Sequence, residues 1–244
     1  MIDAILNTGP RRQLNAKIDA DIASGKWENI AALPLLVWGN RALYFDPAKP
    51  LLKVADTLAQ NPDYRTLTIK TYHDACYYAV TRQSQRKAVD GLLHCAEESQ
   101  ETIERININC QVIDAPRAIP SDQKQRAIDA LVRDVFDPAL EPQVAVRACR
   151  SVLAHTANLM EDNPKQLWRA ASKLLRRTEQ LDDSAERNIS YWHILASPHA
   201  TNDHRQEARA KLIENDDADI DSLMPDSFEE KLQAYFKVAE YTLA

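Results

Sequence analysis

Apolar residues recur at helical spacing along most of this chain. Leu14, Ile18 and Ile22 lie four residues apart, an interval that places side chains on one face of an α-helix. A similar pattern runs through 87–106 and predicts one continuous helix there. Residues 108–114 alternate like a strand, but a lone strand has no pairing partner, so we interpret them as a helix end and a linker. The pattern therefore predicts an all-α protein.

Residues 67–80 predict a helix with a clear buried face. Tyr72, Cys76 and Ala79 share that face, and Val80 lies near it. Helix starts are further indicated where a capping residue precedes a residue tolerated in the first turn. This occurs at Asp46-Pro47, Asn61-Pro62, Ser121-Asp122 and Asn163-Pro164.

The second half of the chain contains a repeated pattern. Helix starts are predicted near residues 121, 141, 163, 184 and 201, about 20 residues apart, which corresponds to helical hairpins with a period of about 40 residues. The first helix of each hairpin carries an alanine and, four residues later, a leucine. These pairs are Ala127 and Leu131, Ala170 and Leu174, and Ala208 and Leu212.

This period of paired helices resembles HEAT-type repeats. The segment VRAC at 146–149 is similar to the V-R-x-A of that family, although Arg150 stands where those repeats prefer a small residue. The resemblance covers 121–242 and implies a HEAT-like α-solenoid of stacked helical hairpins. An irregular helical bundle is the alternative. We predict an irregular N-terminal helical bundle over 1–115 and stacked hairpins over 121–244, joined as one continuous compact unit.

Composition excludes several function classes. The 244 residues include only 4 glycines, and neither a glycine-rich phosphate loop nor a G-x-S-x-G nucleophile motif is present. The four cysteines form no C-x-x-C pair, and no histidine pair has metal-ligand spacing, so we predict reduced thiols, no metal site and no cofactor. The longest apolar run, 30–39, is too short to span a bilayer. We expect a cytoplasmic protein that does not enter membranes.

Charge is distributed unevenly. The formal net charge is −6, and the last 31 residues hold nine acidic and two basic side chains. The acidic segment, 214–230, is either a solvated loop or a docking strip for a basic partner. Its candidate binding residues are Asp216, Asp217, Asp219 and Asp221.

A stripe of cations lies at four-residue spacing near the middle of the repeat region. It consists of Lys165, Arg169, Lys173 and Arg177, with Arg176 beside it. Such a stripe could bind phosphates or an acidic protein, or it could be a solvated face paired with Glu179 and Asp182. The opposite face is expected to be buried and contains Leu167, Trp168, Ala171, Leu174 and Leu175.

The segment RNISYWH at 187–193 resembles the R-x(4–6)-H pattern of HEPN ribonucleases. In that family, arginine stabilises phosphate charge and histidine transfers a proton, which would assign these roles to Arg187 and His193. With eighteen arginines and six histidines, about one such spacing arises by chance, and Arg150 to His155 is a second match. Six residues also separate two side chains by about 120° around a regular helix.

These observations favour a non-catalytic protein that binds another macromolecule through an extended helical surface, as an adaptor, an immunity-like inhibitor or an assembly subunit. Another protein is the expected partner, and the opposite charges of the stripe and the acidic segment also allow self-association. A HEPN-like, metal-independent ribonuclease is the alternative. A HEAT-like DNA glycosylase using Trp168 and Trp192 is a third hypothesis. A sequence pI of about 5.6 disfavours nucleic acid as the partner.

Overall fold

The computed structural model describes residues 8–115, 119–137, 139–155, 164–197 and 200–214. Within these ranges the chain is all-α, as predicted, with eleven α-helices, two short 3-10 helices at Arg41–Leu43 and Pro62–Tyr64, and no strand. The helices are α1 Thr8–Ser24, α2 Trp27–Gly39, α3 Ala48–Leu58, α4 Arg65–Tyr78, α5 Arg82–Glu98, α6 Thr102–Ile113, α7 Ser121–Asp134, α8 Pro142–His155, α9 Pro164–Thr178, α10 Ser184–Ala196 and α11 Asn202–Glu214.

The chain divides into two compact units, Met1–Asp134 and Val135–Ala244. In the first unit each helix packs on the next, and α1 also contacts α3, α3 contacts α5, and α5 contacts α7. The sequence repeat assigns α7 to the C-terminal array, whereas in the structure α7 packs on α5 and α6. The predicted boundary between 115 and 121 stays a prediction.

In the second unit the helices also pack in chain order. α8 contacts α9, α9 contacts α10, and α10 contacts α11, while α8 also contacts α10 and α9 contacts α11. The predicted helix starts at 121, 141, 163, 184 and 201 lie within one residue of the observed starts. The repeated alanine and leucine positions are all buried, at Ala127, Ala170, Ala208, Leu131, Leu174 and Leu212. A HEAT-like solenoid requires a regular superhelical stacking, and that finer description stays a prediction.

Two local expectations were wrong. The helix predicted through 87–106 is interrupted, because α5 ends at Glu98 and α6 begins at Thr102. The Ser99 hydroxyl accepts a hydrogen bond from the backbone N–H of Glu101 at 3.2 Å, which stabilises the break between the two helices. Val80 was expected near the buried face, but α4 ends at Tyr78 and the Val80 side chain is 46% exposed. The strand-like segment 108–114 was correctly interpreted, since it lies in α6 up to Ile113.

Small residues and capping contacts position several of these helices. Gly91 in α5 lies directly under the ring of Tyr72 from α4, where any Cβ would overlap the ring. The carboxylate of Asp46, before α3, accepts hydrogen bonds from the Ser84 hydroxyl at 2.7 Å and from the Val80 backbone N–H at 3.2 Å. Asp46 thereby connects the start of α3 with the segment between α4 and α5.

Candidate functional site

The predicted basic stripe lies on α9, and the structure describes four of its five side chains. Arg169 and Arg176 are exposed, whereas Lys173 and Arg177 are partly buried. Lys165 lies in the first turn of this helix, but its side chain is outside the described part of the protein. The opposite face of α9 is buried as expected at Leu167, Ala171, Leu174 and Leu175.

Trp168 was expected on the buried face of α9, and this expectation was wrong. Its side chain is 48% exposed, and its ring lies 5.9 Å from the His204 ring of α11. Successive helical residues are separated by about 100°, so Trp168 lies at the border between the apolar face and the cationic face. Because large apolar residues are usually buried, the sequence alone predicts that a tryptophan at such a border position lies in the core.

His204 connects α11 to α9 through a short series of hydrogen bonds. Its Nδ1 accepts from the backbone N–H of Thr201 at 3.3 Å, which assigns the proton of the neutral ring to Nε2. Nε2 then donates to the Ser172 hydroxyl at 2.8 Å, and that hydroxyl donates to the carbonyl of Trp168 at 3.0 Å. Burial lowers the pKa of His204, against the opposing effect of nearby carboxylates. These contacts hold the α9 backbone at Trp168.

The cations of α9 differ in their contacts. Arg177 donates to the side-chain oxygen of Gln180 at 2.9 Å, and Lys173 lies 5.7 Å above the centre of the Phe136 ring. Arg169 and Arg176 make no ion pair with any side chain in the described ranges. Desolvation lowers the pKa of Lys173, and the positive charges of Arg177 and Arg176 lower it further.

Glu179 and Asp182 are the two carboxylates that could pair with this stripe, and Glu179 has another partner. Glu179 forms an ion pair with Lys211 of α11, with the Nζ and Oε1 atoms 3.3 Å apart. The acidic candidates Asp216, Asp217, Asp219 and Asp221 lie outside the described residues. Among the residues that the structure describes, the positive charge on the exposed face of α9 is therefore only partly compensated.

Arg187 and His193 both lie on α10 and are both partly buried. The Arg187 guanidinium donates to the carbonyl of Leu181 at 2.6 Å and to that of Asp182 at 3.3 Å. It therefore supports the loop between α9 and α10, where carbonyl groups beyond the helix end need donors. These contacts give Arg187 a structural function that the ribonuclease-like spacing does not indicate.

The structure also bears on the cysteines, the metal sites and the membrane spans considered in the sequence. All four cysteines are free and buried, and burial raises the pKa of the Cys95 thiol to about 11, which makes its reactive thiolate scarce at neutral pH. No group of three or more His, Cys, Asp or Glu side chains among the described residues could hold a metal ion. Within the same ranges, no helix has both the length and the apolar character needed to cross a bilayer.

Comparison of the chain with protein-family models, curated proteins and solved structures finds no match.

The structure also brings together residues that the sequence does not single out. Trp38 at the end of α2 donates from Nε1 to the Tyr78 hydroxyl at the end of α4, at 3.1 Å. Tyr77 packs edge-on against Tyr78, and Arg41 lies 4.6 Å from the centre of the Trp38 ring. The only local sequence signal is the Tyr77-Tyr78 pair itself, because Trp38 and Tyr78 are forty residues apart.

Proposed function

We propose that the protein is a non-catalytic macromolecule-binding protein that docks an acidic segment of another protein. The proposed docking site is the exposed face of α9 formed by Trp168, Arg169, Lys173 and Arg176, termed here the α9 surface. The observation that carries this proposal is the pair of exposed guanidinium groups, Arg169 and Arg176, which lack ion-pair partners in the described ranges.

Electrostatics support an acidic partner. Like charges on neighbouring turns of one helix destabilise it by a few tenths of a kcal/mol per pair. Desolvation is the largest cause of the lowered pKa of Lys173, and repulsion by Arg177 and Arg176 adds to it. Carboxylates placed against the face would relieve it, and charge complementarity would also increase the rate of association.

Side-chain chemistry supports a protein rather than a nucleic acid. Tryptophan and arginine are the residue types that most often dominate binding energy in protein interfaces. Trp168 is half-exposed, and the His204 ring beside it restricts its side chain, so less ordering would be needed on binding. A single tryptophan beside the cations does not provide the row of stacking platforms typical of single-strand binding.

The wider architecture is consistent with an adaptor, an immunity-like inhibitor or an assembly subunit. Stacked helical hairpins of HEAT type would present α9 as part of an extended face, and the order in which α8 to α11 pack supports that arrangement. The free buried cysteines are compatible with a reducing compartment, so we place the protein in the cytoplasm. The acidic segment 214–230 of a second copy is one candidate occupant, which would lead to self-association.

Two binding measurements test the proposal. The first compares partners recovered from the native host with wild type and with Arg169→Ser/Arg176→Ser. The second measures the affinity of wild type and of the double variant for a synthetic peptide of residues 214–230. A matched peptide with amides in place of its carboxylates is measured beside it. We expect the double variant to lose a partner retained by wild type, and binding to weaken as salt increases. Arg12→Ser/Lys87→Ser, which removes two exposed cations elsewhere, is the control.

The outcomes separate the possibilities. Equal recovery of every partner by wild type and by Arg169→Ser/Arg176→Ser would refute the α9 surface as a docking site. Specific binding of the 214–230 peptide would identify self-association, whereas recovery of a different protein without peptide binding would support a heterologous partner. The HEPN-like ribonuclease is the alternative proposal, and it receives less support because Arg187 donates to loop carbonyls.

A further inference from the structure

A second exposed surface lies on the N-terminal unit, at the adjoining ends of α2 and α4. It consists of Trp38, Tyr77 and Tyr78 with Arg41 at its edge and with Leu35 one helical turn before Trp38, and is termed here the aromatic patch. Leu35 is 73% exposed, Trp38 47% and Tyr77 50%. Single exposed apolar side chains are common on proteins, but several held together usually have a binding function.

Direct contacts hold the patch in one arrangement. The Trp38 indole donates to the Tyr78 hydroxyl at 3.1 Å, and the rings of Tyr77 and Tyr78 meet edge to face with centroids 5.0 Å apart. The segment after α4 is also anchored, because the Val80 backbone N–H donates to the buried carboxylate of Asp46 at 3.2 Å. A preformed surface of this kind loses less conformational entropy on binding than a mobile one.

Arg41 adds a specific polar group to this apolar surface. Its guanidinium lies 4.6 Å from the centre of the Trp38 ring, and Nη1 donates to the Trp38 carbonyl at 3.1 Å. Arg41 is exposed, and its guanidinium makes no other hydrogen bond or ion pair in the described ranges. Because a guanidinium has five N–H groups in a planar fork, most of them remain for a partner, and a carboxylate is the group that fits this fork best.

We propose that the aromatic patch binds a protein segment that carries a bulky apolar side chain close to an aspartate or glutamate. The apolar side chain packs on Leu35, Trp38 and Tyr77, and the carboxylate pairs with Arg41. Tryptophan, tyrosine and arginine are the three residue types most enriched among energetically dominant interface positions. This surface is distinct from the α9 surface and does not depend on the function proposed for it.

Two observations favour a protein over a nucleic acid here. One face of the Trp38 ring is covered by Arg41 and its N–H is already bonded to Tyr78, so Trp38 offers little for stacking between bases. The first 134 residues hold seventeen basic and seventeen acidic side chains, so this part of the chain has no net positive charge to attract phosphates.

Selection from a random 12-residue peptide display library, with the full chain as bait, tests the proposal. Peptides that bind wild type and not Trp38→Ala are synthesised. Each is also made in a second version in which Asp is replaced by Asn and Glu by Gln. We expect the enriched peptides to share an apolar residue near an acid, and Trp38→Ala to weaken their binding at least tenfold. Arg41→Gln should weaken the acidic peptide several-fold and leave its amide version unchanged. Ile103→Ser, which changes an exposed apolar side chain outside both proposed surfaces, should bind like wild type.

A second variant of the patch distinguishes loss of binding from loss of folding. Leu35→Ser changes a side chain that is mostly exposed, so it should fold normally and still weaken peptide binding. The absence of any peptide that distinguishes wild type from Trp38→Ala and Leu35→Ser would overturn the proposal, as would an acid preference that persists in Arg41→Gln. Labelled oligouridine that binds wild type but not Trp38→Ala would identify a nucleic-acid surface instead. A dimer in sedimentation experiments that Leu35→Ser dissolves would identify a second copy as the occupant.

Discussion

The guanidinium of Arg105 in α6 forms a two-point contact with the carboxylate of Asp134, the last residue of α7. Nε lies 3.0 Å from Oδ2, and Nη2 lies 3.3 Å from Oδ1. The Asp134 side chain is only 5% exposed, and that of Arg105 is 22% exposed. The pair therefore connects two helices of the N-terminal unit where water screens charge poorly.

Removing one partner of this pair should destabilise the N-terminal unit strongly. Asp134→Ala removes the carboxylate that the Arg105 guanidinium contacts at two points, and losing one member of a buried ion pair costs about 3–5 kcal/mol. Urea unfolding followed by circular dichroism measures the change. Asp122→Ala removes the carboxylate of an exposed pair with Arg86 and should cost less than about 1 kcal/mol. Equal effects of the two substitutions would contradict the structural role of the buried pair.

Asp46 should make stability depend on acid pH. Burial alone would raise the pKa of Asp46, but hydrogen bonds from Ser84, Val80, Thr81 and Ala48 together lower it below its ordinary value of 3.8. Because the folded-state pKa is the lower one, the stabilisation is fully present above that ordinary value and is lost as pH falls through the folded-state pKa.

The Asp46→Asn variant tests this dependence. We expect it to be less stable than wild type at pH 7. The difference should shrink as pH falls below about 4, because the unfolded wild-type chain then takes up a proton at Asp46 more readily than the folded one. Urea unfolding at a series of pH values measures both proteins. Asp63→Asn, at an exposed position, serves as the control and should change stability little. A difference for Asp46→Asn that does not change with pH would contradict the argument.

Gly91 should not tolerate alanine, although alanine is the better helix former. Gly91→Ala gains up to about 1 kcal/mol of helix propensity, but its Cβ would overlap the Tyr72 ring. The Tyr72 hydroxyl donates to Asp56 at 2.7 Å, which restricts movement of the ring away from the new methyl group. Overpacking costs about 1–3 kcal/mol, so we expect a net loss of stability and a lower Tm.

Gly39→Ala is the matched control for this substitution. Gly39 also lies in a helix, and nothing lies within 4 Å of the position that a Cβ would occupy. We expect Gly39→Ala to leave the Tm unchanged or to raise it slightly. If Gly91→Ala raised the Tm as much as Gly39→Ala, the packing of α4 on α5 would differ from that described.

The Arg187 and His193 pair should act in structure and not in catalysis. We expect wild type not to cleave mixed RNA in EDTA, and Arg187→Ala to lower stability by about 1–3 kcal/mol because the Leu181 and Asp182 carbonyls lose a charged donor. Gel electrophoresis of RNA and thermal unfolding provide the two readouts. RNA cleavage that disappears in His193→Ala would instead support the HEPN-like ribonuclease.

Much of the candidate site on α9 could be predicted from sequence, but the exposure of Trp168 could not. Arg169 and Arg176 were correctly expected on one side of the helix and Leu174 on the other, because helical spacing alone separates them. Trp168 was wrongly expected in the core. Whether a border residue is covered depends on its neighbours from other helices, and the His204 ring of α11 covers only part of Trp168.

The aromatic patch could not be predicted from sequence either, because its residues come from distant parts of the chain. Trp38 and Tyr78 lie forty residues apart in sequence, and no local pattern connects them. Val80 was expected near the buried face of α4, yet the helix ends at Tyr78 and Asp46 holds the following backbone in another direction. A contact between distant residues is decided by the packing of whole helices.

The amino-acid sequence by itself determined the all-α class, the helix starts in the second half and the buried alanine and leucine positions of α7, α9 and α11. These features depend on backbone capping and on a 3.6-residue period, which act between residues close in the chain. Only the tertiary structure decided the aromatic patch, the loop contacts of Arg187 and the exposure of Trp168. Each of these depends on which helices come together, and that outcome results from burial summed over the whole unit.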